Sequence, residues 1–573
     1  MVTSAREEPA DTLVIGFISL LTLSAFLTQF VFRALDDNRL TSWQWVFAET
    51  DLAGMSGLLV AGIVAAYVLS RVSLPERRAA GVLALSAFLA AAVFWREPEV
   101  IVDAARYFTQ AKHLETYGIG YFIAEWGREV SAWTDLPLVP FLYGTIFGLG
   151  GERRVLIQLF TTLLFSGTVV LTYLLGKTLW DETVGLYAGG LLLGMPYLLT
   201  QVPLMLVDVP TMFFLTLAVF SVTKALREGG AGWIALSSAA VALAFLSKYS
   251  TWLWLTVLPL VLAVHVRRAP RLVLRRGALI ALAPMVLAGA VLVLKHDVVA
   301  QQLGLLQGYQ LPGLRRWRES FVSTFFFQIH PFITAAALYS GVAAVRKRDW
   351  RYSIIAWAWL LAVLMRAERI RYLVPVLPML ALMASYGLRE IGSREVRRFA
   401  ACCIVLSSLL VAGFAYLPHL MRMSAVNLRD AGNYADSIEG GTVEVVALPQ
   451  GQAGINPAVS VALLDLFTGK RITHQNGSPG SPPREKVETS LLRFTWEHRD
   501  PAYYTAPAGG SKGEAAVIVI SERVGQSLPE AIERKIAGYH LARTFQVSDE
   551  WFQYQTVVRI YQPLERAPTG RRQ

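Results

Sequence analysis

Long apolar segments recur along the first 418 residues of the chain. A helix of about 20 apolar residues crosses a hydrocarbon layer of about 30 Å. The first segment, Leu13 to Phe32, is too long for a signal-peptide core and has no small-residue cleavage site after it, so we expect a retained helix. The pattern predicts about thirteen spans, over residues 13–32, 52–70, 79–94, 155–176, 183–200, 210–226, 232–247, 250–266, 277–295, 321–345, 352–365, 372–388 and 399–418.

Composition and charge agree with a polytopic α-helical membrane protein. Of 573 residues, 54% are hydrophobic and 17% are charged, whereas about 25% charge is usual in soluble domains. Residues 1–418 carry 36 Lys and Arg against 26 Asp and Glu, so most of the net charge of +11 lies there. These cations fall mainly in alternate loops, which predicts a cytoplasmic N-terminus and explains the charge without nucleic acid. Cys402 and Cys403 are adjacent in an apolar run, which excludes a disulfide framework.

The same topology predicts what faces the outside. The outer face comprises the loop 95–154, a loop at 296–320, short turns and all residues after about 419. Leu136 to Gly150 is expected to be a helix lying at the outer surface, since it contains Pro137, Pro140 and several glycines. Residues 419–573 alternate strands (443–448, 515–520, 540–547, 556–561) with helices (457–467, 529–538) and contain a Gly/Ser/Pro-rich loop at 476–484. This alternation predicts a small extracytoplasmic α/β domain.

Three carboxylates are predicted at the outer face although they are far apart in sequence. Asp103 follows the third span, Asp135 precedes Leu136-Pro137-Leu138, and Asp208 opens the sixth span in Leu206-Val207-Asp208-Val209-Pro210. Charges inside spans are costly, which favours such end positions. For Asp135 and Asp208, helix capping is an equally good explanation, because a proline follows two residues later. For Asp103 the alternative is a solvated loop charge.

Seven cations predicted at the outer face depart from the trend that places Lys and Arg in cytoplasmic loops. They are Lys248, Arg315, Arg316, Arg318, Arg366, Arg369 and Arg371. The forked guanidinium donors of arginine and the point charge of lysine suit a phosphate at the depth of the lipid headgroups. Snorkelling of the side chain toward the headgroups explains any single one of these cations equally well. Carboxylates and cations together favour transfer from a lipid phosphate, in which a carboxylate accepts a proton and cations stabilise the departing phosphate.

Five short motifs in this order resemble the GT-C glycosyltransferases. They are Asp103 with Arg106-Tyr107 and Gly118, Asp135-Leu136-Pro137-Leu138, the Asp208 segment, Leu243 to Lys248, and Arg371-Tyr372 followed by Leu373 to Pro378. The branch they are most similar to contains protein mannosyltransferases and aminoarabinose transferases. The resemblance spans about 79–418, so residues 1–78 form two additional helices, 79–418 the catalytic module, and 419–573 the outer domain.

The resemblance implies an inverting membrane glycosyltransferase with a polyprenyl- or dolichyl-phosphate sugar donor. Within it, Asp103 is the base, and Asp208 positions donor or acceptor. Asp135 precedes the equivalent of the family's Pro-Pro-Leu. The donor phosphate is assigned to Lys248, Arg371, Tyr372, Arg369 and Arg366, and substrate contacts to Arg106 and Tyr107.

The chain departs from the family pattern at two places. Many members carry Asp-Glu in the first loop, whereas Ala104 stands here, so the acid paired with Asp103 is Asp135 or one of Glu115, Glu125 and Glu129. The two helices before residue 79 have no counterpart in the simplest members.

The expected partners and the rival functions follow from these patterns. Partners are a polyprenyl-phosphate-linked sugar, a lipid, glycan or protein acceptor, and membrane lipids, with no nucleic acid. The sequence has no metal-ligand spacing and no Asp-x-Asp signature, so no cofactor is expected, with divalent-cation dependence left open. We expect a multi-pass protein of the plasma (inner) membrane. The rivals are a secondary transporter, disfavoured by the absence of a repeat, and a lipid-handling or scaffold protein with an outer binding domain. His330 is expected to be packed or hydrogen-bonded rather than a proton carrier.

Overall fold

A computed structural model of the chain describes residues 4–72, 75–267, 269–310, 312, 319–449, 455–474, 495–496, 501–505, 515–549 and 554–564. The chain divides into two compact units. The helical unit consists of Met1–Glu97, Thr134–Val139 and Gln158–His419. The sheet unit consists of Pro98–Trp133, Pro140–Ile157 and Leu420–Gln573.

The main α-helices are numbered in chain order across both units. They are α1 (Ser4–Val31), α2 (Leu52–Arg71), α3 (Ala79–Ala92), α4 (Ile101–Glu125), α5 (Leu138–Gly150), α6 (Arg154–Leu179), α7 (Glu182–Leu191), α8 (Pro196–Gln201), α9 (Asp208–Glu228), α10 (Ala231–Ser247), α11 (Tyr249–Trp254), α12 (Val257–Val266), α13 (Pro270–Leu294), α14 (His296–Leu305), α15 (Pro331–Lys347), α16 (Tyr352–Leu364), α17 (Leu377–Leu388), α18 (Arg394–Val411), α19 (Ala425–Ala435), α20 (Ala458–Asp465) and α21 (Glu530–Ile536).

The described residues contain nine helical segments long and apolar enough to cross a membrane. They are Asp11–Val31, Leu52–Arg71, Glu76–Arg96, Arg154–Leu179, Asp208–Glu228, Tyr249–Val266, Pro270–Leu294, Ile370–Leu388 and Arg394–Leu420. The chain is therefore an integral, multi-pass membrane protein, as the sequence predicted. The count of about thirteen is not confirmed.

Local breaks account for the difference in count. The expected span 183–200 is divided between α7 and α8, where Met195 is extended ahead of Pro196. The block 321–345 begins with a π-helical turn, Ser323–Gln328, and becomes α-helical at Pro331. Helices α10 and α16 are apolar but shorter than the other spans. The segment expected at the outer surface is the 13-residue helix α5.

The segments that carry the candidate site lie at the centre of the helical unit. Asp208–Glu228 and Ile370–Leu388 are mostly buried, whereas Pro270–Leu294 is mostly exposed. Close approach between helices depends locally on glycine, because a Cβ at Gly387 of α17 would clash with the backbone carbonyl of Ala336 in α15. Helix α17 therefore packs closely against α15 at this point.

A five-stranded mixed sheet forms the core of the sheet unit. Its strands are β1 (Thr442–Ala447), β2 (Arg471–His474), β3 (Ala516–Ser521), β4 (Tyr539–Phe545) and β5 (Val557–Pro563), in the order β2-β1-β3-β5-β4. Strand β1 is parallel to β2 and β3, and β5 is antiparallel to β3 and β4. All six residues of β3 are buried, which is typical of a strand covered on both faces.

This sheet confirms the predicted C-terminal α/β region and adds detail to it. Strand β2 and helix α19 were not predicted, and the loop 476–484 lies outside the described residues. Helix α4, which carries Asp103, belongs to the same compact unit as the sheet. The C-terminal region therefore folds together with much of the predicted outer loop.

Candidate active site

Asp208 is the centre of a buried charge cluster in the helical unit. Its side chain is fully buried at the first residue of α9. Lys248 donates to one carboxylate oxygen at 2.5 Å, and the Nε of Arg371 donates to the other at 3.0 Å. The carboxylate does not cap α9, for which Val207 is the N-cap residue. Capping alone therefore does not explain Asp208, and one carboxylate holds two cations in place.

Tyr372 brings a third cation close to this pair. The ammonium of Lys248 lies 5.7 Å from the ring centroid of Tyr372, and the guanidinium of Arg369 lies 5.5 Å from the same centroid. Both distances allow cation–π attraction. Arg369 also pairs with the buried carboxylate of Glu319 at 3.3 Å. We call Asp208, Lys248, Arg369, Arg371 and Tyr372 the cation cluster.

The cation cluster gathers three of the seven predicted outward cations. The side chains of Lys248, Arg369 and Arg371 are 19%, 11% and 12% exposed, so each is largely desolvated. Arg366 is exposed instead, at a turn with a φ of 51°. Arg315, Arg316 and Arg318 lie outside the described residues.

Glu319 is a member of the surroundings that the sequence did not single out. It follows an arginine-rich stretch that reads as purely basic, so its carboxylate gave no separate signal. Burial, together with the negative charges of Asp37 and Asp36, raises the pKa of Glu319 to about 7 against the attraction of Arg369. Glu319 is therefore a buried acid beside the cation cluster, and its pairing with Arg369 is visible only in the folded structure.

Asp135 belongs to the helical unit and is buried. Its backbone carbonyl accepts a hydrogen bond from the side-chain amide of Gln302 in α14 at 2.8 Å. The hydroxyl of Tyr249 donates to the carbonyl oxygen of the same amide. Since Tyr249 follows Lys248 directly in the chain, the Asp135 backbone is tied to the segment that carries a member of the cation cluster.

Asp103 lies in the sheet unit, in the first turn of α4. The carboxylate is 3.9 Å from Arg106, one helical turn later. Arg106 donates to the hydroxyl of Tyr107 at 3.0 Å, and its guanidinium lies 5.6 Å from the ring of Trp133. Arg106 and Tyr107, expected to contact substrate, thus form one group with Asp103.

A small pocket of about 20 Å³ lies beside this group. That volume accommodates about one water molecule or hydroxyl group. Its lining combines seven side chains that can form hydrogen bonds with one indole ring and two valines, and comprises Val102, Arg106, Thr109, Gln110, His113, Glu129, Ser131, Trp133, Val459 and Thr495. Of the acids considered as partners of Asp103, Glu129 shares this pocket with Arg106, whereas Asp135 belongs to the other unit.

His113 contributes a buried ring to the pocket. Burial lowers the pKa of His113 to about 4, so the imidazole is neutral near pH 7. Its Nδ1 atom is buried and has no hydrogen-bond partner among the residues that the structure describes. A neutral imidazole can either donate to or accept from a hydroxyl group.

A second charge cluster in the sheet unit was not expected from the sequence. Lys112 of α4 lies 2.7 Å from Glu152 and 2.7 Å from Asp465 of α20. The hydroxyl of Tyr504 donates to Asp465 at 2.8 Å. Burial disfavours the charged lysine, but attraction to the two carboxylates outweighs it and raises the pKa of Lys112. The helix that carries Asp103 is thereby tied to the C-terminal region.

Within the described ranges, no group of three or more His, Cys, Asp and Glu side chains is arranged to hold a metal ion.

A family model described as dolichyl-phosphate-mannose-protein mannosyltransferase matches residues 135–294. The resemblance to GT-C glycosyltransferases is thereby confirmed. The matched segment contains Asp135, Asp208 and Lys248, and it supports a membrane glycosyltransferase. Asp103 and Arg371 lie outside the matched segment. A comparison with curated protein sequences finds no match.

Three solved structures are similar to this chain at low identity. ArnT from Cupriavidus metallidurans in the apo state is 13% identical, with 83% of this chain and 97% of that chain covered and a TM-score of 0.48. The same protein bound to undecaprenyl phosphate is 12% identical, with 89% and 98% covered and a TM-score of 0.49. The Archaeoglobus fulgidus oligosaccharyltransferase AglB, in complex with an inhibitory peptide and a dolichol-phosphate, is 12% identical, with 78% and 70% covered and a TM-score of 0.44.

Proposed function

We propose that this chain transfers a sugar from a polyprenyl phosphate carrier to an acceptor hydroxyl at the outer membrane face, with inversion at the anomeric carbon. The observation that carries the proposal is the contact of Asp208 with both Lys248 and Arg371. The family match over residues 135–294 supports the same class of reaction and donor.

The cation cluster is assigned to the donor phosphate. One carboxylate neutralises one of two cations, so the trio of Asp208, Lys248 and Arg371 keeps a net positive charge. In this largely desolvated position the attraction to a phosphate is stronger than in water. When the bond between the anomeric carbon and the phosphate oxygen breaks, negative charge accumulates on the phosphate, and these fixed cations stabilise it.

Asp103 is assigned as the general base. The acceptor oxygen attacks the anomeric carbon opposite the leaving phosphate, and the carboxylate takes the proton that the hydroxyl loses. A phosphate departs as a stable anion, so its oxygen needs no proton from a second acid. Cations therefore take the place of the general acid that an inverting glycosidase requires.

The pocket beside Asp103 is assigned to the acceptor. Its donors and acceptors and the Trp133 ring suit a hydroxyl-bearing group, and its volume of about 20 Å³ matches one such group. Val459 of α20 and Thr495 contribute to the lining, so the C-terminal region takes part in acceptor selection. Proteins, glycans and lipids all offer such hydroxyl groups.

The transporter alternative loses its main candidate residue in this arrangement. A hydrogen bond of 3.0 Å joins Nε2 of His330 to the hydroxyl of Ser407, and its Nδ1 accepts from the backbone of Phe332 at 3.2 Å. Both nitrogens have structural partners, which supports a role for the ring in capping α15 and packing against α18.

The test is complementation of a deletion strain with wild type, Asp103→Asn and a control. Glycans and glycolipids are compared by mass spectrometry, and membrane levels of the protein by immunoblot. We expect wild type to restore a sugar-bearing product and Asp103→Asn to restore none at equal protein level. Asp297→Asn is the control, since its carboxylate is fully exposed, and should restore the product. Full restoration by Asp103→Asn would refute the assignment of the base.

A further inference from the structure

The loop between α1 and α2, residues 32–51, is the N-terminal loop. Together with its two helices it had no role in the sequence interpretation. Two consecutive carboxylates of this loop, Asp36 and Asp37, reach the chain segment that precedes α15. Asp37 accepts hydrogen bonds from the backbone nitrogen of Ser320 at 3.1 Å and from its hydroxyl at 3.2 Å. Asp36 accepts from the hydroxyl of Ser323 at 2.6 Å.

Asp36 also fixes the shape of its own loop. Its two carboxylate oxygens accept from the backbone nitrogens of Asn38 at 3.1 Å and Trp43 at 2.8 Å. The side chain is 2% exposed. A buried carboxylate costs free energy unless hydrogen bonds compensate it, so these contacts to backbone and serine define one preferred loop conformation.

An aromatic cluster forms the apolar base of this contact. Trp43 and Phe47 have ring centroids 4.5 Å apart, and Trp43 lies 6.1 Å from Phe327 and 6.4 Å from Tyr416. Trp43, Phe47, Phe327 and Tyr416 are all at most 2% exposed. The N-terminal loop is therefore packed against the π-helical turn Ser323–Gln328 by apolar as well as polar contacts.

The segment held by the loop reaches Arg369 through two connections. Glu319, directly before Ser320, pairs with the guanidinium of Arg369 at 3.3 Å. The hydroxyl of Thr324 donates to the backbone carbonyl of Glu368 at 2.5 Å. One connection fixes the Arg369 side chain, and the other fixes the backbone immediately before it.

We propose that the N-terminal loop is a positioning element of the donor site. Asp37 and Asp36 hold residues 319–324, and Glu319 and Thr324 then keep Arg369 over the Tyr372 ring, whose other cationic neighbour is Lys248. Asp36 and Asp37 act through Arg369 and are positioning residues. This inference rests on the proposed function, because it takes the cation cluster to be the phosphate site.

The test measures lipid binding to the purified full-length protein in detergent, by native mass spectrometry. The probe is undecaprenyl phosphate, and undecaprenol is the comparison ligand without a phosphate. Asp37→Ala removes the acceptor of both Ser320 hydrogen bonds, so Arg369 is no longer held in place. We expect about tenfold weaker binding of undecaprenyl phosphate, which corresponds to the loss of one charged hydrogen bond between Arg369 and the phosphate. Binding of undecaprenol should not change.

Asp37→Asn separates positioning from charge. Asparagine keeps an oxygen that accepts from Ser320 but has no charge, so we expect affinity within about threefold of wild type, a difference well under one charged hydrogen bond. If only the negative charge near the cations mattered, Asp37→Ala and Asp37→Asn would both bind the phosphate more tightly. Tighter binding by both variants would overturn the proposal.

Two further variants control for folding. Asp181, outside the N-terminal loop, caps α7 by accepting from the backbone nitrogen of Val184. Asp181→Ala should lower the melting temperature and leave undecaprenyl phosphate affinity unchanged. If Asp37→Ala does not fold, Ser320→Ala provides the test, since it removes one hydrogen bond to Asp37 without changing charge. An affinity of Ser320→Ala equal to wild type would then contradict the proposal.

Failure of the inference is distinguishable from failure of the proposed function. If wild type binds undecaprenyl phosphate no better than undecaprenol, or if Arg371→Ala has no effect on its binding, the donor site itself is wrong. If Arg371→Ala weakens binding while a folded Asp37→Ala variant does not, only the role of the N-terminal loop is wrong.

Discussion

Lys112 and Asp465 form an ion pair at 2.7 Å although 353 residues separate them in the chain. The ammonium is shared with Glu152 at the same distance, and the Asp465 side chain is only 2% exposed. Helix α4, which starts with the Asp103 turn, is thus fixed to α20 through one largely buried cation. The stability of the sheet unit should depend on that cation.

Lys112→Met should strongly destabilise the sheet unit. The variant keeps the length of the side chain but leaves two carboxylates without their cation, and breaking a buried pair costs about 3–5 kcal/mol. Urea unfolding, monitored by protease cleavage within the sheet unit, measures the loss of stability. The control is Lys535→Met, because the pair of Lys535 with Glu444 is more exposed and should contribute at most about 1 kcal/mol. Equal stability of both variants would show that the Lys112 cluster is dispensable.

The pH dependence of the sheet unit should reveal His113. Its pKa is about 4 in the folded protein, against 6.5 ordinarily. Between pH 6.5 and 4 the unfolded chain therefore binds a proton that the folded protein does not. Above pH 6.5 His113 does not reduce the free energy of unfolding, and as the pH falls from 6.5 to 4 the protein progressively loses stability. His113→Phe removes the titration and keeps a ring beside Tyr121 and Tyr503.

Between pH 7.5 and pH 5, wild type should lose about 2 kcal/mol more stability than His113→Phe. Glu152 opposes this trend, because burial raises its pKa to about 7 and favours the folded protein at lower pH. That contribution is present in both proteins and cancels in the comparison. Urea unfolding at the two pH values is the measurement, and the same pH dependence in both proteins would exclude His113 as the source.

The sequence patterns predicted regular elements and membrane faces better than they predicted side-chain partners. The alternation of strand and helix patterns in the C-terminal region predicted β1, β3, β4 and β5 to within a few residues. Strand β2 has only four residues, which is too short a pattern to predict a strand. Topology placed Asp208, Lys248 and Arg371 on one face, and the fold brings them into contact. No such rule applies to Lys112, Glu152 and Asp465, since each lies in a polar stretch and their pairing depends on how α20 packs on α4.

Lys248→Met should weaken donor binding without unfolding the helical unit. Methionine fills a similar volume, and Asp208 keeps Arg371 as its partner at 3.0 Å. A hydrogen bond to a charged group is worth about 1.5–3 kcal/mol, which predicts about 10- to 100-fold weaker binding of undecaprenyl phosphate. Isothermal titration calorimetry of undecaprenyl phosphate with the protein in nanodiscs measures the change in affinity. Lys347→Met is the control, because that lysine pairs with Glu390 and is half-exposed. Unchanged affinity of the Lys248 variant would remove this residue from the donor site.

Gly118, the glycine that follows the Asp103 motif, should be required for its backbone conformation rather than for contact with a ligand. It interrupts α4 with a φ of 82° and a ψ of 173°, a conformation that is essentially restricted to glycine. A Cβ at this position would meet nothing within 4 Å, so the cost of Gly118→Ala is entirely conformational, about 1–3 kcal/mol. Gly120 has equally open surroundings and no positive φ, so Gly120→Ala should instead stabilise α4 by up to about 1 kcal/mol. Thermal unfolding of the two variants therefore should shift in opposite directions, and a shift in the same direction would show that the local strain at Gly118 is not what selects glycine there.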